Sequence, residues 1–302
     1  MFIFWQMEKI YEFNVFVYKY IMSVGIAGLG FVGGAMYRSF TEKGQDCVVY
    51  DKFKDGGIGL IQHLLQVDMI FLCLPTLYSH EKREYDKSAI HEVCEYLEKH
   101  HYTGVVVIKS TVEPETTDKL SAKYDLHLAH NPEFLTARTA YEDFHNQDHI
   151  VLGKGKNCTT NDMTCLESLY TRLYPNASIS HCTSLESESM KIFCNSFYAS
   201  KVMLFNEYYM LCKKNGSNFE KIKEMMLKNN WINAMHTDVP GPDGQLGYGG
   251  ACFPKDTNAL CKYMEKNSTK KKVLSAVIEE RNELRKDRTN EITKLDKETS
   301  LY

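Results

Sequence analysis

The chain has 302 residues, 43% hydrophobic and 25% charged, the balance of a folded protein and not of a disordered, collagenous or low-complexity one. Its 36 Lys and Arg against 39 Asp and Glu give a net charge of −3, with no basic excess for binding nucleic acid. Ten Cys without a C-x-x-C pair argue against a zinc ribbon and a disulfide framework, and for reduced thiols in the cytoplasm.

Residues 1–22 are apolar and aromatic, but Glu8, Lys9, Glu12 and Lys19 interrupt them. No run of about 18 apolar residues is left to span a bilayer, so no membrane partner is expected. Without a basic leader or a small-residue cleavage site, this stretch reads as an N-terminal extension and not as a signal peptide. The Asn-x-Ser/Thr sequons at Asn157, Asn176, Asn215 and Asn267 are then chance matches.

Ser23–Ala27 predicts a short buried strand, followed by GLGFVG at 28–33 and a helix over Phe31–Lys43. Further strands are predicted at Cys47–Tyr50, at Asp68–Leu74 (broken by Pro75), at Val105–Ile108, and later at Leu126–Ala129 and His149–Leu152. Helix falls between several of them, as at Ser88–Lys99. Strand alternating with helix predicts an α/β unit over 23–183, a doubly wound parallel sheet of the Rossmann type. From Ser184 to Lys214 neither Gly nor Pro occurs, and Asn215-Gly216 is a helix stop. A helix of that length runs about 45 Å and needs a partner for its apolar face. A helix over Phe219–Asn229 and a Gly/Pro-rich loop over 236–254 follow. Residues 184–302 are therefore expected to form an all-α unit. From about 262 the chain holds 11 Lys/Arg and 8 Asp/Glu and predicts solvated helix and a charged tail.

Four constellations carry chemistry. Gly28, Gly30 and Gly33 lie between a strand and a helix, and Asp51 ends the next strand. That is the pattern of a dinucleotide site, with pyrophosphate at the helix N-terminus and the acid on the ribose diol. The acid favours NAD over NADP, while Lys52 and Lys54 keep a 2′-phosphate open. Second, Cys252 follows Gly247, Gly249 and Gly250 and precedes Lys255 and Asp256. A thiol beside an ammonium can act as a nucleophile, and the alternative is a structural Cys in a glycine turn. Third, Lys191 and Asn195 share one helix face, able to hold an oxyanion or simply solvated. Fourth, Thr111 and Glu133 follow strands and can hold a water, or serve as a helix cap and a turn residue. The eleven His show no metal-binding spacing, so no metal is expected; His100-His101 reads as a solvated helix end, and His236 as an exposed loop residue or a substrate contact.

GYGGACFPKD at 247–256, NPEFL at 131–135, IKST at 108–111 and the Lys191/Asn195 pair together resemble the UDP-glucose/GDP-mannose dehydrogenase family, from about Ser23 to Leu260. The glycine fingerprint is shared widely, and the Lys/Asn pair with the 3-hydroxyacid dehydrogenases; the cysteine signature is specific. The resemblance implies NAD as cofactor and a nucleotide sugar, UDP-glucose ahead of GDP-mannose, oxidised twice at C6 through a Cys252 thiohemiacetal and thioester. It implies that Lys191 and Asn195 stabilise the oxyanion, and that Asp256, Thr111 and Glu133 handle water. It further places Phe31, Val32, Pro75, Thr76 and Thr111 at the cofactor, Phe134, Leu135, Tyr248, Gly249 and Gly250 at the sugar, and helix 184–214 at a homodimer interface.

Three departures stand out. Ala137 replaces a second acid of the NPEFL motif, Trp231 stands near a family arginine, and about 40 charged residues follow Leu260 where members continue into a C-terminal nucleotide-binding domain, which the chain is expected to lack. A two-electron 3-hydroxyacid-type dehydrogenase, using Lys191 without Cys252, and a catalytically silent NAD-binding protein are the alternatives.

Overall fold

The structure, a computed structural model, describes residues 22–285. Nearly all of the expected N-terminal extension, and the charged tail after Arg285, lie outside the described residues.

β1 (Val24–Ala27) is buried along its whole length, as a strand with covered faces must be. It is followed by α1 (Phe31–Glu42), β2 (Cys47–Tyr50) and β3 (Met69–Leu72). A short hairpin, β4 (Tyr78–Ser79) and β5 (Glu84–Tyr85), precedes α2 (Ser88–Lys99). Then come β6 (Val105–Ile108), α3 (Thr116–Tyr124), β7 (His127–His130), α4 (Ala140–His145), β8 (His149–Lys154), α5 (Thr160–Leu173) and β9 (Ser178–Thr183). The main sheet has seven strands in the order β2-β1-β3-β6-β7-β8-β9.

The first five strands are parallel, so Gly28, Cys73, Lys109 and Asn131 all leave the sheet at one edge. The sheet departs from the expected all-parallel one at β8, which pairs antiparallel with β7 (Ala129↔Lys154, His130↔Gly153), β9 then running parallel to β8. The six residues of α4 are too short to carry the chain back across the sheet, so β8 starts at the edge where β7 ends. An aromatic cluster fills one face of the sheet, with Phe40 and Phe71 edge to face at 6.0 Å and Phe144, Tyr170 and Tyr174 around them. Ile90, Val93 and Leu97 of α2 and Leu120 and Tyr124 of α3 cover the other face.

The long helix α6 runs from Ser184 to Asn215, 32 residues and about 48 Å at 1.5 Å each. Thr183 and Glu186 form a capping box at its start, and Gly216 ends it with φ 79°. Its first turns are bound to the sheet. A Cβ on Gly153 would lie 2.6 Å from Ser187 Cβ. Buried Glu188 accepts the Glu115 N–H at 2.7 Å, the Thr117 N–H at 2.7 Å and the Thr117 hydroxyl at 2.6 Å, at the N-terminus of α3.

α7 (Phe219–Lys228), α8 (Phe253–Lys266) and α9 (Lys272–Leu284) complete the helical part. The solvated helix expected beyond 262 is in fact packed: Leu274 joins Ile192, Leu260 and the hairpin tyrosines Tyr78 and Tyr85, and Arg281 is buried. Lys272, Glu279 and Glu283 of α9 are exposed on its other face, which is why composition alone misread it. Among the described residues no helix is long and apolar enough to cross a membrane.

Candidate active site

The site lies where the carboxyl ends of the parallel strands meet α6 and the start of α8. On the sheet side, Gly28 has φ +91°, and a Cβ there would stand 2.4 Å from the Cys73 carbonyl oxygen. A Cβ on Gly33 would stand 1.8 Å from the Gly28 carbonyl oxygen, so α1 packs against the turn only with glycine. Above Gly30 there is open space to 4 Å, and no side chain caps α1. Phe31 and Val32 open that helix. Uncapped N–H groups over an open glycine fit a pyrophosphate.

Asp51 accepts the Leu29 N–H at 2.7 Å and the Phe53 and Lys54 N–H groups at 3.0 and 2.9 Å. Burial opposes its charge, but these three donors outweigh burial and hold its carboxyl below the usual range. Both lysines that kept a 2′-phosphate open are engaged elsewhere. Lys54 Nζ donates to the Leu29 carbonyl at 2.9 Å, and Lys52 pairs with Glu92 at 2.7 Å. The residues therefore fit NAD. Pro75 is exposed beside the turn, and buried Thr76 donates to the Thr111 carbonyl at 2.8 Å.

The helical side supplies the second half. Lys191 and Asn195 are 4% and 6% exposed, so the solvated-face alternative fails. Lys191 Nζ lies 3.1 Å from Glu133 Oε1, and Glu133 Oε2 accepts the Leu135 N–H at 2.6 Å. Burial would lower the Lys191 pKa, but the charge of Glu133, then those of Cys252 and Asp256, raise it. Phe134 lies under that ammonium, its ring centroid 5.4 Å from Nζ, and stacks on His149. Thr111 is buried and is not a helix cap, since α3 begins at Thr116.

Cys252 ends the glycine loop directly before α8, which carries Pro254 in its first turn. The residue is exposed, yet the protein behind it pushes its thiol up to about 11. Lys255 and Lys191 pull that value down, while Glu133 and Asp256 push it up. Asp256 is fully buried: Oδ1 accepts from Lys255 at 2.6 Å and from the Tyr85 hydroxyl at 2.5 Å, and Oδ2 accepts the Asn195 amide at 2.5 Å. Both oxygens of Asp256 are thus engaged, tying it to Asn195, Lys255 and Tyr85.

Tyr248, expected at the sugar, instead turns its ring inward onto Ala199 and Met203, leaving Gly249 and Gly250 partly exposed beside it. His236 is neither a free loop residue nor exposed; it stacks on Tyr198 at 4.8 Å and meets Phe253 at 5.4 Å. Trp231 is 87% exposed.

Sequence reasoning missed Arg281, Arg285 and Tyr85, and gave Lys109 of the IKST motif no role. Arg281 donates to the Tyr248 carbonyl at 2.9 Å, and Arg285 pairs with Asp243 at 2.6 Å, so α9 holds the glycine loop from behind. Lys109 is buried beneath the strand ends, and Tyr85 reaches Asp256 from the hairpin. A charged stretch read as solvated concealed the arginines. Lys109 was visible in IKST, but only its burial gives it weight. Among the described residues no group of three or more His, Cys, Asp or Glu is placed to hold a metal.

Residues 59–174 match the family model described as UDP-glucose/GDP-mannose dehydrogenase family, NAD binding domain, and residues 185–283 match the central domain of the same family. A UDP-glucose 6-dehydrogenase of Rickettsia felis is 32% identical over 227 residues, covering 71% of this chain and 48% of that protein. One from Rhizobium meliloti is 29% identical over 301 residues, covering 85% and 67%. The chain thus spans about half the length of the first of these relatives. The solved UDP-glucose dehydrogenase of Pyrobaculum islandicum shares the fold, with a TM-score of 0.76 at 23% identity over 87% of this chain and 68% of that one. With both of its regions matched along the sheet and the helices, the chain belongs to the UDP-glucose/GDP-mannose dehydrogenase family.

Proposed function

We propose that the protein is an NAD-dependent dehydrogenase that oxidises the C6 alcohol of a nucleotide sugar to a uronate, with UDP-glucose ahead of GDP-mannose. The names of its relatives support that order of substrates. The observation that carries the reading is the exposed Cys252 thiol set among Lys191, Glu133, Asp256 and Lys255, at the strand edge that also bears the glycine turn. Residues 23–183 serve as the dinucleotide side, and the chain from 184 on carries the thiol.

Gly30 and Asp51 would hold NAD, which would supply the hydride acceptor, one molecule for each of the two oxidations. The chain's own groups do the rest. Lys191 and Asn195 stabilise the oxygen of the C6 group as its proton passes to water in the open site and the aldehyde forms. The Cys252 thiolate adds to the aldehyde carbon; a C–S bond forms, and the carbonyl electron pair moves onto oxygen beside Lys191. Held as a thiohemiacetal, the aldehyde cannot escape before the second oxidation makes it a thioester. Water, positioned by Glu133 and Thr111, attacks the acyl carbon; the C–S bond breaks and the thiolate leaves. Phe134 and Leu135 flank the sugar, and Gly249 and Gly250 let backbone approach it. Asp256 keeps Asn195 and Lys255 in place throughout.

Exposed Phe193, Phe197, Leu204, Tyr208 and Leu211 form one stripe along α6, and we assign that stripe to a homodimer interface. The ten unpaired thiols suit a reducing compartment, the cytoplasm.

The test counts NADH against uronate. Two per product, with net turnover lost in Cys252→Ser, is the expected outcome. One per product with Cys252→Ser unaffected would establish the two-electron alternative. No NADH with any nucleotide sugar would mark a silent NAD-binding protein, the reading that Ala137 raises.

A further inference from the structure

Tyr85 has no part in the reaction as proposed, yet it makes a short bond to the centre of the site. It sits on β5, in the hairpin that the chain inserts after β3. Its ring is fully buried against the helical part, and its hydroxyl donates to Asp256 Oδ1 at 2.5 Å. Lys255 Nζ shares that oxygen at 2.6 Å and lies 4.6 Å from the centre of the Tyr85 ring. The Tyr85 N–H donates to Glu113 Oε1 at 2.7 Å, and Glu113 also pairs with Lys87 at 2.9 Å. A polar line thus runs from Glu113, two residues past Thr111, through Tyr85 and Asp256 to Asn195 on α6.

Burial, then the charge of Asp256, raise the Tyr85 hydroxyl well above its ordinary value, so it stays a donor at working pH. The charged groups acting on the Cys252 thiol are Lys255 and Lys191, which favour thiolate, and Glu133 and Asp256, which oppose it. Without the Tyr85 hydroxyl, Asp256 Oδ1 has Lys255 as its remaining donor. The ammonium is then drawn toward the carboxylate, and the carboxylate's own charge is less offset. Both changes disfavour thiolate at Cys252.

We propose that Tyr85 is a positioning residue whose hydroxyl, acting through Asp256, holds Asn195 and Lys255 in register with Cys252 and keeps that thiol reactive. The inference rests on Cys252 being the nucleophile of the proposed function.

The test compares Tyr85→Phe with the parent protein as the full chain. Alkylation of Cys252 by iodoacetamide is followed across pH by the mass of the Cys252 peptide, with neither sugar nor NAD present. The expected result is alkylation three- to tenfold slower at pH 8, with the profile displaced to higher pH. In turnover, kcat falls at least tenfold while KM for NAD stays within twofold. An unchanged alkylation profile in the folded variant overturns the proposal. So does faster alkylation at every pH, the mark of a merely loosened loop. Asp256→Asn supplies a second arm: adding Tyr85→Phe there should slow alkylation no further, and an additive loss overturns the route through Asp256. Should the parent make no NADH, the proposed function fails while the alkylation comparison still decides the role of Tyr85.

Discussion

Lys191 Nζ and Glu133 Oε1 lie 3.1 Å apart, with 5% and 10% of their side chains exposed. The pair joins the long helix to the loop after β7, and Glu133 is the largest influence holding the Lys191 pKa up against burial. A buried charge that loses its partner is costly, so Glu133→Gln should destabilise the protein by roughly 3 kcal/mol. The sign with pH follows from linkage. The raised Lys191 pKa contributes stability that is full below its ordinary value of 10.5 and is lost as pH rises through the higher folded value. In Glu133→Gln burial dominates and the folded value drops below 10.5, so the alkaline loss of stability contributed by Lys191 should disappear, and this group should instead make the variant's stability rise with pH toward 10.5. Urea melts from pH 7 to 11 measure it; an alkaline limb left in place would show that Glu133 does not hold that proton.

The α/β half was legible because its signals are local. Alternation of short apolar runs with helix, a glycine turn and an acid at the end of β2 do not depend on distant contacts. The reversal of β8 was not, because strand direction is set by how far a connecting helix carries the chain, and α4 is short. In the site, motif spacing brought Cys252, Lys191 and Asn195 to attention, but not how they are held. Asp256 looked like a base in sequence; its three donors come from Tyr85, Asn195 and Lys255, and two of these are remote along the chain. Arg281 and Arg285 looked solvated because a helix with one buried face can be mostly charged in composition.

Lys109 Nζ donates to Asn131 Oδ1 at 2.7 Å within the core, and burial pushes its pKa down from 10.5 to about 8. The native state releases this proton before the unfolded chain does. Between those two values the unfolded chain binds more protons, so this group makes stability rise with pH. The full span is roughly 3 kcal/mol. In Lys109→Met the Tyr170 hydroxyl still donates to Asn131 Oδ1. The variant should be as stable as the parent at pH 7, or more so, and should lose the parent's relative gain between pH 8 and 10. Denaturant melts of the two proteins side by side read the difference. A Lys109→Met variant several kcal/mol weaker at pH 7 would mean that the ammonium is fully compensated where it lies.

The glycine loop is held from behind by α9. A Cβ on Gly249 would lie 2.3 Å from Nη2 of Arg285, the group that pairs with Asp243 at 2.6 Å. Gly249→Ala should displace that guanidinium and cost about 1–3 kcal/mol, as crowding of a packed site does. On the proposed function it should raise KM for the nucleotide sugar more than it lowers kcat. Because the clash is with one side chain, Arg285→Ala should absorb it. A double-mutant cycle on thermal stability tests this: strong coupling is expected, and additive losses would mean that the loop backbone itself cannot accept a side chain at 249.

Phe193, Phe197, Leu204, Tyr208 and Leu211 recur at spacings of four, seven, four and three, which places all five on one side of α6. They extend over about 27 Å of helix at 1.5 Å per residue, and Phe197 near the upper end of the stripe is 66% exposed. A stripe of this length open to water favours association by removing apolar area from solvent, about 25 cal/mol for each Å². A single carboxylate placed within it would have to be desolvated in any such contact. Phe197→Glu should therefore shift the protein to monomer at micromolar concentration without lowering its thermal midpoint in dilute solution, since the side chain has little intramolecular packing to lose. Sedimentation velocity of the two proteins across a dilution series gives the comparison. A parent that sediments as a monomer at every concentration would remove the dimer assignment, and a variant that stays dimeric would move the interface off this face of α6.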